Sequence, residues 1–163
     1  MTKNLDKEGL SSIVDKYQLF YVDLWGVVHN GVTLHDKAIK ALEEISKKGK
    51  EYILLTNAPR PNFAVKLFLE KLGMTKEIRD HVFTSGEAAL IYLKKNLLNK
   101  MFFHVGPPRD FDLFKDFEKM KSDNIKNSEY ILCTGLFDDY TEDLKYYKNL
   151  FQNFLEKKMI CTN

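Results

Sequence analysis

The chain has 163 residues, 44% hydrophobic and 29% charged, enough for one globular domain with a real core, or one domain and part of another. Its 25 basic and 23 acidic residues are spread along the chain and leave a net charge of +2, so neither nucleic acid nor a membrane surface is an expected partner. No apolar run approaches the ~18 residues of a membrane span, and the N-terminus lacks a signal-peptide core, so a cytoplasmic location is expected.

Leu5 to Tyr17 reads as a short helix with Leu10, Ile13 and Val14 on one face. Leu19 to Val22 is an apolar run without helical period, which predicts a buried strand ending on Asp23, followed by a turn carrying Gly26 and Gly31. Asp36 is placed to cap a helix bearing Ala38, Ile39, Leu42 and Ile45, which Gly49 stops. Tyr52 to Leu55 predicts a second buried strand, ending on Thr56-Asn57. Pro61 then opens a helix with Val65, Phe68, Leu69 and Leu72, terminated at Gly73. His81 to Thr84 predicts a third strand ahead of a helix reaching Leu93.

The same rhythm continues through Met101–Val105 and Tyr130–Cys133. A long helix is expected next, with Thr141 as its cap and Leu144, Tyr147, Phe151, Phe154 and Leu155 inward, and then a strand at Met159 to Asn163. Glu118 to Asn127 reads as the most loop-like stretch. Basic clusters at Lys47-Lys48-Gly49-Lys50, Lys94-Lys95 and Lys157-Lys158 fall near predicted helix ends, where they complement the dipole. Cys133 and Cys161 have no zinc spacing and are expected as small buried thiols. Strands alternating with amphipathic helices define an α/β protein with a parallel sheet. Right-handed crossovers bring the strands' carboxyl ends to one edge, so Asp23, Thr56-Asn57 and Thr84-Ser85 can meet there.

A carboxylate beside a Thr-Asn pair at such an edge suits phosphoryl transfer. The carboxylate can attack phosphorus and ligate Mg²⁺, and a hydroxyl with neighbouring N–H groups can hold phosphoryl oxygens. The pattern alone is weak, because an aspartate at a strand end is also common punctuation before a turn.

Asp23-Leu-Trp-Gly-Val-Val-His-Asn-Gly31 followed by Tyr52-Ile-Leu-Leu-Thr-Asn-Ala-Pro-Arg60 resembles the haloacid dehalogenase-type phosphohydrolases. The likeness is to subclass IIA, the nitrophenyl-phosphatase-like and NagD-like enzymes, and it extends to Val82-Phe-Thr-Ser-Gly-Glu-Ala-Ala89 and Cys161-Thr-Asn163. It implies a Rossmann-like parallel sheet core with the beginning of an α/β cap domain, divided as residues 1–97 and 98–163. It also implies a small phosphorylated metabolite as substrate and Mg²⁺ as cofactor. Asp23 becomes the nucleophile and a Mg²⁺ ligand, with the Trp25 backbone carbonyl as a second ligand. Thr56 and the backbone around Asn57 hold the phosphoryl group, and Arg60 stands where it can meet a substrate anion.

Most phosphatases of the family place a second aspartate two residues after the nucleophile as general acid and base; here Trp25 stands there, and indole cannot exchange that proton. The protein therefore prefers activated phosphates, or His29 supplies the proton from the turn, or the site binds more than it turns over. The family's lysine and its Gly-Asp-x-x-x-x-Asp metal motif have a weak match in Lys121 and Ile131–Asp139. The latter segment looks more like part of a cap, which makes the chain an N-terminal fragment, inactive alone. A non-catalytic phosphate- or partner-binding protein on the same fold, or a receiver-like phospho-acceptor domain, are the competing readings.

Overall fold

The structure is a computed structural model that describes residues 5–138 and 140–162. Asp139, half of the acidic pair considered for a metal motif, and Asn163, the end of the last expected strand, lie outside the described residues. The chain forms two compact units. One runs to Thr56 and from Lys66 to Phe83; the other comprises Asn57–Val65 and everything from Thr84 onward.

In the first unit, helix α1 (Leu5–Glu8) stops at Gly9, whose φ of 69° is left-handed, and two 3₁₀ turns follow (Leu10–Ser12 and Val14–Lys16). The continuous helix expected to Tyr17 is thus absent. Four residues ahead of a glycine do not sustain a helix, and the Ser12 hydroxyl bonds back to the Gly9 carbonyl at 2.9 Å. Of the three apolar residues expected on one face, only Val14 is buried.

Strands β1 (Leu19–Asp23) and β2 (Glu51–Thr56) pair in parallel, with Leu19 opposite Glu51 and Asp23 opposite Leu55; β3 (Val82–Thr84) completes a sheet of order β1-β2-β3. The central strand buries Tyr52 and Leu54. Strand β1 is not the buried strand expected. Among the described residues it pairs with β2 alone, and Leu19, Tyr21 and Asp23 are all exposed, Tyr21 to 66%. Strand order, which a local apolar run does not encode, decides that difference.

Helix α2 (Asp36–Lys47) connects β1 to β2 and buries Leu42 and Ile45. Its N-cap is His35, and Asp36 is the first helical residue, where its charge still meets the positive end of the dipole. Gly49 ends it with φ 67° and an N–H bonded to Ser46. Helix α3 (Asn62–Lys71) follows Pro61 and ends at Gly73; the short α4 (Lys76–Arg79) has no counterpart in the sequence reading.

The second unit carries α5 (Ser85–Asn96) and four parallel strands: β4 (Phe102–Val105), β5 (Lys121–Ser122), β6 (Tyr130–Cys133) and β7 (Lys158–Cys161), in the order β5-β4-β6-β7. Its core is aromatic. Phe102, fully buried, meets Phe114, Phe117 and Tyr130 at centroid distances of 5.4, 5.7 and 5.7 Å, with Leu93, Leu113 and Leu132 around them. A smaller cluster of Val105, Ile125 and Ile131 receives Phe103, Tyr147, Phe151 and Phe154.

The stretch from Glu118 to Asn127 contains β5 and a 3₁₀ turn (Ile125–Asn127), because Ile125 is drawn into the core. Helix α6 (Leu144–Phe151) is capped by Asp143, whose carboxylate accepts the Tyr146 N–H at 2.8 Å, and not by Thr141. Tyr147, Phe151 and Phe154 face the core, but Leu144 and Leu155 are over 80% exposed, the second lying beyond the helix end. Lys157 and Lys158 lead into β7 rather than closing a helix, whereas Lys47, Lys94 and Lys95 do lie in last turns. Cys161, in β7, is exposed and Cys133 half-buried; they are register partners, and neither is the buried thiol expected. No helix among the described residues is long and apolar enough to cross a membrane.

Candidate active site

Parallel pairing sends β1 and β2 out of the sheet along the same edge. Because Asp23 is opposite Leu55, the next residue of β2, Thr56, stands one step beyond the Asp23 pair. A carboxylate and a hydroxyl residue from sequence positions 33 apart are thereby neighbours at the carboxyl edge, where α/β sheets bind ligands. Asp23 is exposed, and its Oδ1 accepts the Leu24 N–H at 2.8 Å, which orients the carboxylate through one oxygen and leaves the other for an electrophile or a cation.

The turn after Asp23 is built around the Leu24 carbonyl, which accepts the N–H groups of Val28 at 2.9 Å and His29 at 3.1 Å, while Gly26 N–H bonds the His29 carbonyl at 2.8 Å. Leu24 and Val28 are buried beneath it. The Trp25 carbonyl takes no part in these bonds. Its indole is 65% exposed and stands edge-on to the His29 ring at 5.5 Å.

His29 is only 4% exposed, and its other ring face meets Phe68 at 5.5 Å. Its Nδ1 accepts the Gly31 N–H at 3.0 Å, which leaves the neutral imidazole's proton on Nε2. Burial holds its pKa below the usual histidine value, helped by His35 and opposed by the Asp23 charge. The ring thus serves as the pivot of the turn, with one nitrogen committed to it.

In the second unit, the segment from Asn57 to Pro61 is sewn to the start of α5. Thr84 Oγ1 caps Glu87 N–H at 2.8 Å and donates to the Arg60 carbonyl, Ser85 Oγ bonds the Ala58 carbonyl at 3.0 Å and also meets the Thr162 carbonyl, and Gly86 N–H bonds Ala58 at 3.1 Å. A Cβ on Gly86 would lie 2.5 Å from Arg60 backbone atoms, so this close approach requires glycine. Asn57 is exposed at the start of the segment. Arg60 does not stand alone: its Nε is 3.8 Å from Oδ1 of Asp110, whose side chain is 3% exposed.

That pair opens a chain of buried polar groups absent from the sequence reading. Burial raises the Asp110 pKa against the opposing effect of a hydrogen bond from Thr134 and the Arg60 charge. Thr134 Oγ1 is in turn 2.9 Å from His104 Nε2. His104 and Thr134 belong to the carboxyl ends of β4 and β6, polar residues closing apolar runs, the same signal that singled out Asp23 and Thr56. Asp138, by contrast, is not gathered into a metal cluster: its Oδ1 accepts the N–H groups of Tyr140 at 2.7 Å and Thr141 at 3.2 Å.

Among the described residues no three His, Cys, Asp or Glu side chains come together as a metal cluster. What the Asp23 turn offers is a carboxylate and the peptide carbonyl of Trp25. Both are hard oxygen donors that fit Mg²⁺, and they amount to part of its octahedral shell.

A model of the haloacid dehalogenase-like hydrolases matches residues 20–119, and the chain belongs to that family. Phosphoglycolate phosphatase 2 of Arabidopsis thaliana is 35% identical over 95 residues, covering 56% of this chain and 31% of that protein. The crystal structure of a haloacid dehalogenase-like hydrolase from Brucella suis superposes with a TM-score of 0.80 and 31% identity, covering 100% of this chain and 60% of that one. A 4-nitrophenylphosphatase from Thermotoga maritima shares the fold at a TM-score of 0.64 and 24% identity, covering 93% of this chain and 56% of that one. The chain therefore spans between about a third and three fifths of the length of these relatives.

Proposed function

We propose that this chain carries the nucleophile-bearing part of a Mg²⁺-dependent phosphohydrolase of subclass IIA, acting on a small phosphorylated metabolite. The observation that carries the reading is the register that sets Asp23 and Thr56 side by side at the carboxyl edge of β1 and β2. In this reading residues 1–97 are part of the catalytic core and residues 98–163 the start of a cap.

The free oxygen of Asp23 attacks phosphorus, the bond from phosphorus to the leaving oxygen breaks, and an aspartyl phosphate forms. Water then attacks phosphorus, releasing inorganic phosphate and restoring the carboxylate. Thr56 Oγ1 and the backbone N–H groups around Asn57 hold the phosphoryl oxygens, and Arg60 meets a second anionic group of the substrate. Asp23 and the Trp25 carbonyl would hold Mg²⁺, which when bound supplies positive charge against the phosphoryl oxygens.

Protonation of the leaving group is the weak step. Trp25 has no proton to give, and His29 has only Nε2–H, on a ring that is 4% exposed. The proposal therefore favours activated phosphates, acyl or aryl, whose leaving groups depart without a proton. A proton-transfer part for His29 predicts instead that His29→Asn depresses alkyl-phosphate turnover more than acyl-phosphate turnover. With the Asp23 carboxylate and the Trp25 carbonyl as the Mg²⁺ donors found among the described residues, this chain is expected to turn over poorly by itself.

The test is to assay the entire gene product with Mg²⁺, wild type against Asp23→Asn, on acetyl phosphate and 4-nitrophenyl phosphate. Turnover that depends on Asp23 supports the proposal. Equal background rates for both proteins would sink it in favour of a non-catalytic binding protein, and a long-lived phosphorylated Asp23 would favour a receiver-like acceptor.

A further inference from the structure

The second unit contains a cleft of about 590 Å³ at the carboxyl end of its sheet, lined by His104, Gly106, Phe111, Phe114, Lys121 and Phe137. Its location follows from the strand order β5-β4-β6-β7. From β4 the chain crosses to β5 on one side, whereas from β6 it crosses to β7 on the other. The loops leaving β4 and β6 therefore part in opposite directions, and a crevice opens between them. Such a switch point is where open parallel sheets take ligands.

The walls are apolar and the charge is single. Phe111 and Phe114 stand edge-to-face at 5.4 Å, Phe114 packs on the His104 ring at 4.6 Å, and Phe137 comes from the loop after β6. Burial and the neighbouring Lys121 charge hold His104 at a pKa of about 4, so it is neutral near pH 7. Asp110, turned to Arg60 and Thr134, adds no uncompensated charge. Lys121 is exposed, and among the described residues its ammonium has no carboxylate within 4 Å and no hydrogen-bond partner.

The far wall is tied across the two strands: Thr134 Oγ1 lies 2.9 Å from His104 Nε2, and the same side chain helps to hold down the pKa of the buried Asp110. Gly106, with φ 152°, has no side chain where a Cβ would lie 2.0 Å from Thr134 Oγ1. A supported wall, aromatic faces and a cation unpaired among the described residues are the features of a small-molecule site.

We infer that this cleft binds a small planar aromatic anion, its ring against the phenylalanine side chains of the lining and its carboxylate or phosphoryl group on Lys121. None of the cleft-lining residues belongs to the Asp23 turn, so the inference does not rest on the phosphohydrolase reading.

Titrating the intact ¹⁵N-labelled chain with benzoate, phenylphosphonate, benzamide and inorganic phosphate reads binding directly, without turnover. Benzoate or phenylphosphonate should shift the amides of Gly106, Phe111, Lys121 and Phe137, the tighter of the two naming the anionic group. Benzamide and inorganic phosphate, each lacking one half of the chemistry, should bind about tenfold more weakly or worse. Lys121→Gln should weaken the aromatic anion by a similar factor, and Phe111→Leu should weaken it without altering the preference over benzamide. Benzamide binding as tightly as benzoate, indifference to Lys121→Gln, or shifts confined to other residues would each overturn the assignment.

Discussion

The indole of Trp25 lies across Gly31 so closely that a Cβ there would stand 2.6 Å from a ring carbon. Gly31 also has φ 90°, a region that L-residues avoid. Gly31→Ala is therefore expected to cost about 1–3 kcal/mol through backbone strain, with added displacement of the indole. Trp25 is the sole tryptophan, so its emission should shift in step with the loss measured by urea unfolding. An unchanged emission maximum and midpoint would show that the ring and the turn are not coupled.

Trp25→Asp restores a carboxyl group two residues after the nucleophile. On the phosphohydrolase reading it should raise turnover of alkyl phosphates by up to about 10²–10⁴, the range of general acid–base assistance, and change acyl-phosphate turnover much less. Loss of the edge contact with His29 should lower stability by about 1 kcal/mol. Comparing kcat on the two substrate types in wild type and variant decides the matter; a uniform change on both would assign Trp25 to binding rather than to the missing proton.

The α/β class and the Asp23–Thr56 edge were legible in the sequence because both are local: an apolar run, a polar residue where it ends, a glycine after it. The exposure of β1 was not, since nothing in Leu19–Val22 states whether one or two strands will flank it. The cap of α6 fell to Asp143 over Thr141 by two residues, a choice between neighbouring oxygen side chains that pattern cannot make. The Arg60–Asp110–Thr134–His104 relay was invisible for another reason. Its members come from four separate segments and acquire meaning only when the fold of the second unit brings them together.

His104 makes part of the stability pH-dependent. Its pKa is about 4 in the folded chain against an ordinary 6.5, so the unfolded chain binds the proton more readily. Stability from this group is complete above pH 6.5 and declines as pH falls through 4, by about 3 kcal/mol in total. Urea unfolding of the wild type and His104→Gln between pH 4 and 7 should show the glutamine variant losing less stability on acidification. Parallel slopes in the two proteins would exclude His104 as the source.

Tyr130 presents a test of opposite sign. Its hydroxyl is buried without a hydrogen-bond partner among the described residues, and burial pushes its pKa up to about 12. Tyr130→Phe keeps the ring on Phe102, 5.7 Å away, and removes the unpaired dipole. The variant should be as stable as wild type or more stable by about 1 kcal/mol, read from the thermal midpoint. A clear loss of stability would reveal a partner for that oxygen.

The hydroxyl of Ser85 meets the carbonyl of Thr162, 77 positions along the chain. The peptide between them thus begins and finishes at a single point, a loop closed on itself, so that what disturbs one of its ends is felt at the other.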